Sequence, residues 1–289
     1  MSVRKIAGKI LQLCITAFCL YYTVSNINVS QLLKSLHSTQ LEYIAMALFF
    51  FILSQIVSSF RLYNIFKLFH YNISWQANMK LYAAGLFYNF FLPGGVGGDA
   101  YKGFRLRQVF GWPNKQILKM LFLDRAVGFG VLGVMIVVLD KTGMITPLLE
   151  FRLLFGGALT VTGYAITKYL FKSHNVYWIT FGFSVFAQLL QITAVILIIE
   201  GMGIQGSVGL MVWIFLISSA AGILSFAGIG VREFLFLSSA SLLELSGELS
   251  ATVALWISII GAAVSFMGGY YILFPKRQSL ESEKKLNAN

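Results

Sequence analysis

The sequence predicts an all-α polytopic membrane protein, and three observations carry that prediction. Hydrophobic residues make up 57% of the 289 positions and charged residues 11%, with a mean hydropathy of +0.77. A soluble domain carries about 25% charge, so water is the wrong solvent for this composition. Apolar runs close to the roughly 20 residues that cross a bilayer recur along the chain. The basic residues, finally, collect at alternate ends of those runs.

Taken in order, full spans are expected at 6–25, 41–60, 117–139, 151–171, 177–199 and 250–274. The first follows Arg4, Lys5 and Lys9. No small-x-small cleavage site stands after it and further spans follow, so it reads as a retained helix, not a secretory leader. Two other apolar stretches are interrupted. One, 77–110, is broken at Leu92-Pro93-Gly94-Gly95-Val96-Gly97-Gly98-Asp99; the other, 208–246, at Ser225-Phe226-Ala227-Gly228-Ile229-Gly230. Glycine and proline at that density end helices. Irregular backbone at membrane depth survives only where protein or a wet cavity receives it. These breaks are therefore the places to look for function.

Charge sets the sidedness. Arg4, Lys5, Lys9, Arg61, Lys67, Lys80, Lys102, Arg105, Arg107, Lys115, Lys119, Lys168, Lys172 and the tail from Lys276 can all lie on one face. Only Lys34, Lys141 and Arg152 then lie opposite, so the positive-inside rule places both termini in the cytoplasm. Each broken stretch must then dip in and return, the first from the cytoplasmic face and the second from the other. The expected architecture is about six spans plus two re-entrant hairpins, with eight plain spans as the alternative. It forms one transmembrane domain, 1–275, with inverted halves near 1–142 and 150–275, followed by a short cytoplasmic tail, 276–289. A shift of 133 residues superposes Gly95-Val96-Gly97 on Gly228-Ile229-Gly230 and carries 117–139 onto 250–272. Broken segments at matching places in inverted halves are the pattern of a transporter's central site.

Ionisable side chains at bilayer depth are costly and face protein or water. Asp99, the Asp124-Arg125 pair and the Arg232-Glu233 pair qualify. Neighbours in sequence do not face each other on a helix. The expected partners are therefore remote: Asp99 or Asp124 for Arg232, and Arg125 for Glu233. Two roles stand beside each other, a lock between helices and a lipid phosphate ligand, since a freed arginine binds phosphate in bidentate fashion. Asp99 also suits an N-cap for the helix after the first break. Lys102, Arg105 and Arg107, with Tyr101, Phe104, Phe110 and Trp112, form a basic, aromatic interfacial stretch that anchors the chain or gathers anionic lipid. Gly128, Gly130 and Gly133 suggest close helix packing. The glycine run lacks the flanking strand and Gly-Lys-Ser/Thr of a nucleotide loop. The two cysteines and three histidines suggest neither metal nor cofactor.

The run Asn89-Phe90-Phe91-Leu92-Pro93-Gly94-Gly95-Val96-Gly97-Gly98-Asp99 resembles the transmembrane family of lysylphosphatidylglycerol synthases. Arg61 after the second span, Asp124-Arg125, and Gly228-Ile229-Gly230-Val231-Arg232-Glu233 match the same family, covering about residues 5–275. The chain departs from it at Ser225 and Phe226, where a proline is expected, and at Lys102, where arginine is commoner. The resemblance implies a flippase-like membrane region. The soluble aminoacyltransferase domain often fused to it is not in this sequence, so lysyl transfer is not implied.

The expected function is a lipid translocase, not an enzyme, moving an anionic phospholipid or a polyprenyl-phosphate-linked lipid between leaflets. Its path would be lined by Arg232, Glu233, Asp124, Arg125, Asp99, Lys102 and Arg61. The re-entrant breaks would be set by Pro93, Gly94, Gly97, Gly98, Gly228 and Gly230. Membrane lipids, not nucleic acid, are the expected partners, and a prokaryotic inner membrane the expected location. A non-catalytic partner of an envelope synthase and a polyprenyl-phosphate glycosyltransferase are the alternatives; the short outer loops argue against the second.

Overall fold

A computed structural model describes residues 3–91, 96–140, 142–143, 148–171, 174–206, 208–222, 225 and 228–273. Pro93 and Gly94, expected at the first break, lie outside the described residues. Among the described residues the chain forms eleven helices and no strand. They are α1 (Val3–Ser25), α2 (Val29–Ser38), α3 (Leu41–Leu68), α4 (Trp75–Phe91), α5 (Gly97–Phe110), α6 (Asn114–Val138), α7 (Leu149–Phe171), α8 (His174–Gly201), α9 (Val208–Ala221), α10 (Val231–Ser238) and α11 (Gly247–Leu273).

Among the described residues four helices are long and apolar enough to cross a membrane: α3, α6, α8 and α11. A fifth span results if α1 and α2, bent by 89° at the intervening turn, count as one. The expected six thus reduce to four clear ones. The 23-residue α7 falls short because Glu150 and Arg152 near its start, with Thr160, Thr162 and Gly163, dilute its apolar stretch. Large apolar side chains nevertheless cover the outside, including Leu154 (66% exposed), Phe122 (63%) and Leu118 (68%). A protein with that exterior has lipid as its solvent.

Both broken stretches fold into two short helices. By a rise of roughly 1.5 Å per residue, α10 is about 12 Å long and α5 and α9 about 21 Å, against a hydrocarbon core of about 30 Å. α4 and α5 turn back on each other: Tyr88 stacks on Tyr101 with ring centres 4.4 Å apart, and the Asn89 Oδ1 accepts from the Gly98 N–H at 2.8 Å. A side chain at Gly98 would overlap the Gly85 carbonyl and stand 2.8 Å from Asn89. Glycine is required there for close approach.

The element bounds repeat. α3 begins at Leu41 and α8 at His174, α4 at Trp75 and α9 at Val208, α6 at Asn114 and α11 at Gly247, each 133 residues apart. α5 and α10 begin 134 apart, at Gly97 and Val231. The packing repeats as well. α4 lies on α11 and α9 on α6; α3 touches α4 and α6, as α8 touches α9 and α11. At the centre α3 packs on its own counterpart α8 in opposite directions. The Gln40 N–H at the start of α3 donates to the Gly201 carbonyl at the end of α8, while Arg61 near the end of α3 meets Ser184. α1, α2 and α7 stand outside this repeat.

The glycines hold the halves together unevenly. A Cβ at Gly268 of α11 would overlap the Ala83 carbonyl of α4, and one at Gly269 would come within 2.9 Å of Phe87. Gly130 and Gly133, expected to permit close packing, meet nothing within 4 Å. Neither glycine is therefore needed there for close approach.

The return of α4 on α5 gives a topological test. Cysteines at Asn72 and Lys115, both exposed, should be labelled by a membrane-impermeant reagent from the same face, in a background lacking Cys14 and Cys19. Labelling from opposite faces would make 75–110 a transmembrane crossing.

Candidate functional site

A cavity of about 450 Å³ opens among α3, α4, α5, α6, α8, α9, α10 and α11. All eight repeated helices line it, and no lining residue comes from α1, α2 or α7. Its size falls in the range that holds small-molecule ligands or headgroups, roughly 300–1,000 Å³. The local sequence explains why a hole persists here. The breaks end four helices short, and lining positions carry Gly128, Gly222, Gly228 and Gly261, which have no side chain to fill the space.

Six of the seven charged residues expected in the path line this cavity: Arg61, Asp99, Lys102, Asp124, Arg125 and Arg232. Their partners are not those expected. Arg61 donates from Nε to Asp124 Oδ1 at 2.7 Å and from Nη1 to Ser184 Oγ at 2.9 Å, tying α3 to α6 and α8. Asp99 accepts from Arg125 and, at 3.3 Å, from Lys102 one turn on. The Lys102 ammonium also sits 4.5 Å from the centre of the Tyr82 ring. Neither aspartate pairs with Arg232, and Arg125 does not pair with Glu233. Helices adjacent in the first half satisfy each other's charges, and the cavity lies between them and Arg232. Consecutive charges do diverge as expected, Asp124 toward α3 and Arg125 toward α5.

The second break is built differently. Gly228 and Gly230 have φ of +82° and +83°, a conformation that glycine adopts without strain. A Cβ on Gly230 would also stand 3.1 Å from the Thr16 carbonyl and 3.2 Å from Cys19 Cβ, both on α1. Glu233 sits at the third position of α10. Its Oε2 accepts from the Gly230 N–H at 2.8 Å and its Oε1 from the Ser258 hydroxyl at 2.6 Å. This is the returning half of a capping box, satisfying a helix-end donor that lipid could not. Glu233 therefore fixes the turn and does not line the cavity. Arg232 makes one weak bond, from Nη1 to Ser258 Oγ at 3.4 Å, and its buried Nε has no hydrogen-bond partner.

The chain matches the family described as the lysylphosphatidylglycerol synthase TM region over residues 9–269. It belongs to that family. The match runs through both sets of repeated helices and every cavity-lining residue. No curated protein matches the chain.

In this family member, Asp99 is not the N-cap of α5. The helix begins at Gly97 after Val96, and Asp99 is its third residue, turned to Arg125 and Lys102. The buried end of that helix is instead served by Asn89, whose Oδ1 takes the Gly98 N–H and lies 3.4 Å from Arg125 Nη2. Asn89, Ser184 and Ser258 are site residues that sequence reasoning did not single out. Asn89 stands in the motif that carries the resemblance, but Ser184 and Ser258 have no local signal. Gly97 is buried, and Gly98 is the glycine whose replacement collides with α4.

The Arg61–Asp124 pair is buried, with side chains 11% and 9% exposed. Removing one member of a buried pair costs roughly 3–5 kcal/mol, and removing both with apolar replacements can be near neutral. Asp124→Asn should lower thermal stability markedly, whereas Arg61→Met with Asp124→Leu should recover most of it. Equal loss in the single and double variants would mean that the pair does not lock α3 to α6.

Proposed function

We propose that this protein is a lipid translocase that moves an anionic phospholipid or a polyprenyl-phosphate-linked lipid between leaflets by alternating access. The observation that carries the reading is the position of the cavity. It lies where two sets of four helices meet, and it takes lining residues from every one of them. The 133-residue offset and the antiparallel contact of α3 with α8 support two halves of inverted topology, with α4–α5 and α9–α10 as re-entrant hairpins. In such an arrangement a rocking of one half against the other exposes a single central site to each side in turn. The apolar exterior offers the acyl chains lipid to travel in, while the charged interior receives the headgroup. The excess of basic residues at 61–119 and in the tail supports a cell-membrane protein with both termini cytoplasmic. A translocase needs no bond-breaking residues, and the arrangement around the cavity is one of pairing and capping.

Reconstitution into liposomes that carry labelled lipid in both leaflets tests this. Wild type should expose the inner-leaflet label to an impermeant quencher, and Arg232→Gln should abolish that movement. Because Arg232 makes no ion pair among the described residues, the variant should melt within a few degrees of wild type. A wild-type rate equal to that of empty liposomes, for all anionic lipids offered, would sink the translocase reading. A transporting Arg232→Gln would remove this arginine from the path.

A further inference from the structure

α3 and α8 are counterparts in the repeat, and they run antiparallel along each other at the centre of the protein. They are bonded toward both ends of that contact, Gln40 with Gly201 and Arg61 with Ser184. Gln55 and Gln188 stand at the midpoints of these two 28-residue helices, 133 residues apart, and so fall at the same depth, near the middle of the bilayer. Both line the cavity, and so does Gln191, one turn beyond Gln188 on the same face of α8. A polar side chain at that depth is costly unless protein or water satisfies it.

Glutamines in membrane helices can serve as glue, hydrogen-bonding one helix to the next. These three do not. The Gln55 Nε2 donates to the Ser54 hydroxyl of its own helix at 3.1 Å. Neither Gln188 nor Gln191 makes a side-chain hydrogen bond among the described residues. The α3–α8 contact beside them is apolar, made by Val57, Ala187 and Leu190 with Leu53 and Phe183 packed against them. The ion pairs at the cavity wall are formed without them, Arg61 with Asp124, and Asp99 with Arg125 and Lys102. Hydrogen-bonding capacity that the fold does not use therefore points into the cavity, and it is uncharged.

A primary amide both donates and accepts hydrogen bonds, and a hydroxyl does the same. The rings of Phe51, Phe129 and Phe215 line the same cavity and offer apolar faces to the C–H bonds that accompany hydroxyls on a sugar or polyol. We propose that Gln188 and Gln191, with Gln55 on the facing helix, form an uncharged subsite for the hydroxyl groups of a sugar or polyol carried on the lipid phosphate. The inference rests on the translocase reading and names the part of the cargo beyond its phosphate. A hydroxylated headgroup exchanges the amides' hydrogen bonds to water for its own. An apolar headgroup of the same charge displaces the water and leaves the amides unpaired, which costs binding.

The test is binding to the purified full-length protein in phosphatidylcholine nanodiscs, followed by intrinsic fluorescence with empty nanodiscs subtracted. Two pairs of short-chain probes hold the phosphodiester charge constant. One sets dioctanoyl phosphatidylglycerol against dioctanoyl phosphatidylpropanol, the other citronellyl phosphoglucose against citronellyl propyl phosphate. In at least one pair the hydroxylated probe should bind roughly tenfold tighter than its apolar counterpart. The pair that shows the preference identifies the source of the headgroup, a phospholipid or a polyprenyl lipid. The double variant Gln188→Leu, Gln191→Leu should lose that preference by weakening the hydroxylated probe alone, with the melting temperature unchanged. Equal binding within both pairs by wild type overturns the proposal, whether or not the variant folds. A preference that survives in a folded double variant overturns it as well. Glycerol phosphate binding as tightly as phosphatidylglycerol would mean that the site takes a free solute, overturning the lipid assignment. Transport is read separately: selective binding with no lipid movement sinks only the translocase reading, and movement indifferent to hydroxyls sinks only this inference.

Discussion

The hydrocarbon core of a bilayer cannot hydrogen-bond, and that constraint organises the interior of this protein. Every helix end, backbone break and charge held at membrane depth must find its partner within the protein or in a cavity. The first break answers with Asn89, whose side-chain oxygen takes the Gly98 N–H at the start of α5. The second answers with Glu233, which takes the Gly230 N–H at the start of α10. Asp124 holds Arg61, and Asp99 holds Arg125 and Lys102. Once these obligations are met, the acids near the cavity among the described residues are all hydrogen-bonded, and Arg232 faces it. The character of the site follows from what the surrounding obligations leave over.

Much of the fold was legible because hydrophobic length and glycine placement are local signals. The spans at 41–60, 117–139, 177–199 and 250–274 correspond to α3, α6, α8 and α11. Helices end and restart on either side of the two expected breaks, between α4 and α5 and between α9 and α10, and the 133-residue shift reappears in three pairs of helix starts. α7 was less legible: its middle is apolar enough to suggest a span, but Glu150, Arg152 and Lys168 toward its ends dilute it. The 89° turn between α1 and α2 left no composition signal beyond Asn26 and Asn28, the latter capping α2 through its Oδ1.

The members of the site were legible and their pairing was not. Asp99, Lys102, Asp124, Arg125, Arg61 and Arg232 stand out in the sequence because charges are rare in apolar stretches, and all six line one cavity. Which carboxylate meets which arginine depends on helix rotation and on the order of helices around the cavity, neither of which one sequence encodes locally. The expected pairing of Arg232 with an aspartate of the other half failed because that half already supplies three cations for its two acids. Glycine roles divide in the same way. Gly98 and Gly268 are required by a backbone of another helix. Gly128 leaves room for the Arg61 guanidinium, 3.1 Å from where its Cβ would be, and Gly130 faces open space. Spacing alone makes all of these look alike.

The repeat also shows how such a site can acquire polarity. Two halves with identical charges would make a cavity lined by two equal ion pairs, self-satisfied and indifferent to ligand charge. Here Gln55 and Gln188, and Gly128 and Gly261, keep like residues at equivalent lining positions, so the shape and hydrogen-bonding character of the two walls correspond. Tyr82 and Phe215 keep the aromatic ring but differ by a hydroxyl. The charges do not correspond: at the same shift Arg61, Lys102, Asp124 and Arg125 meet Ala194, Leu235, Ile257 and Ser258, so the paired charges belong to the first half. A repeated scaffold thus supplies a central cavity lined from both sets of helices, and an unequal distribution of charge between them gives the cavity its sign. The pairing in the first half rigidifies one wall; the unpaired guanidinium in the second leaves the other wall the one whose electrostatic energy changes when an anion arrives. That difference is what a ligand needs if its binding is to favour one arrangement of the two halves over the other, because a ligand shifts an equilibrium only through interactions that differ between its states.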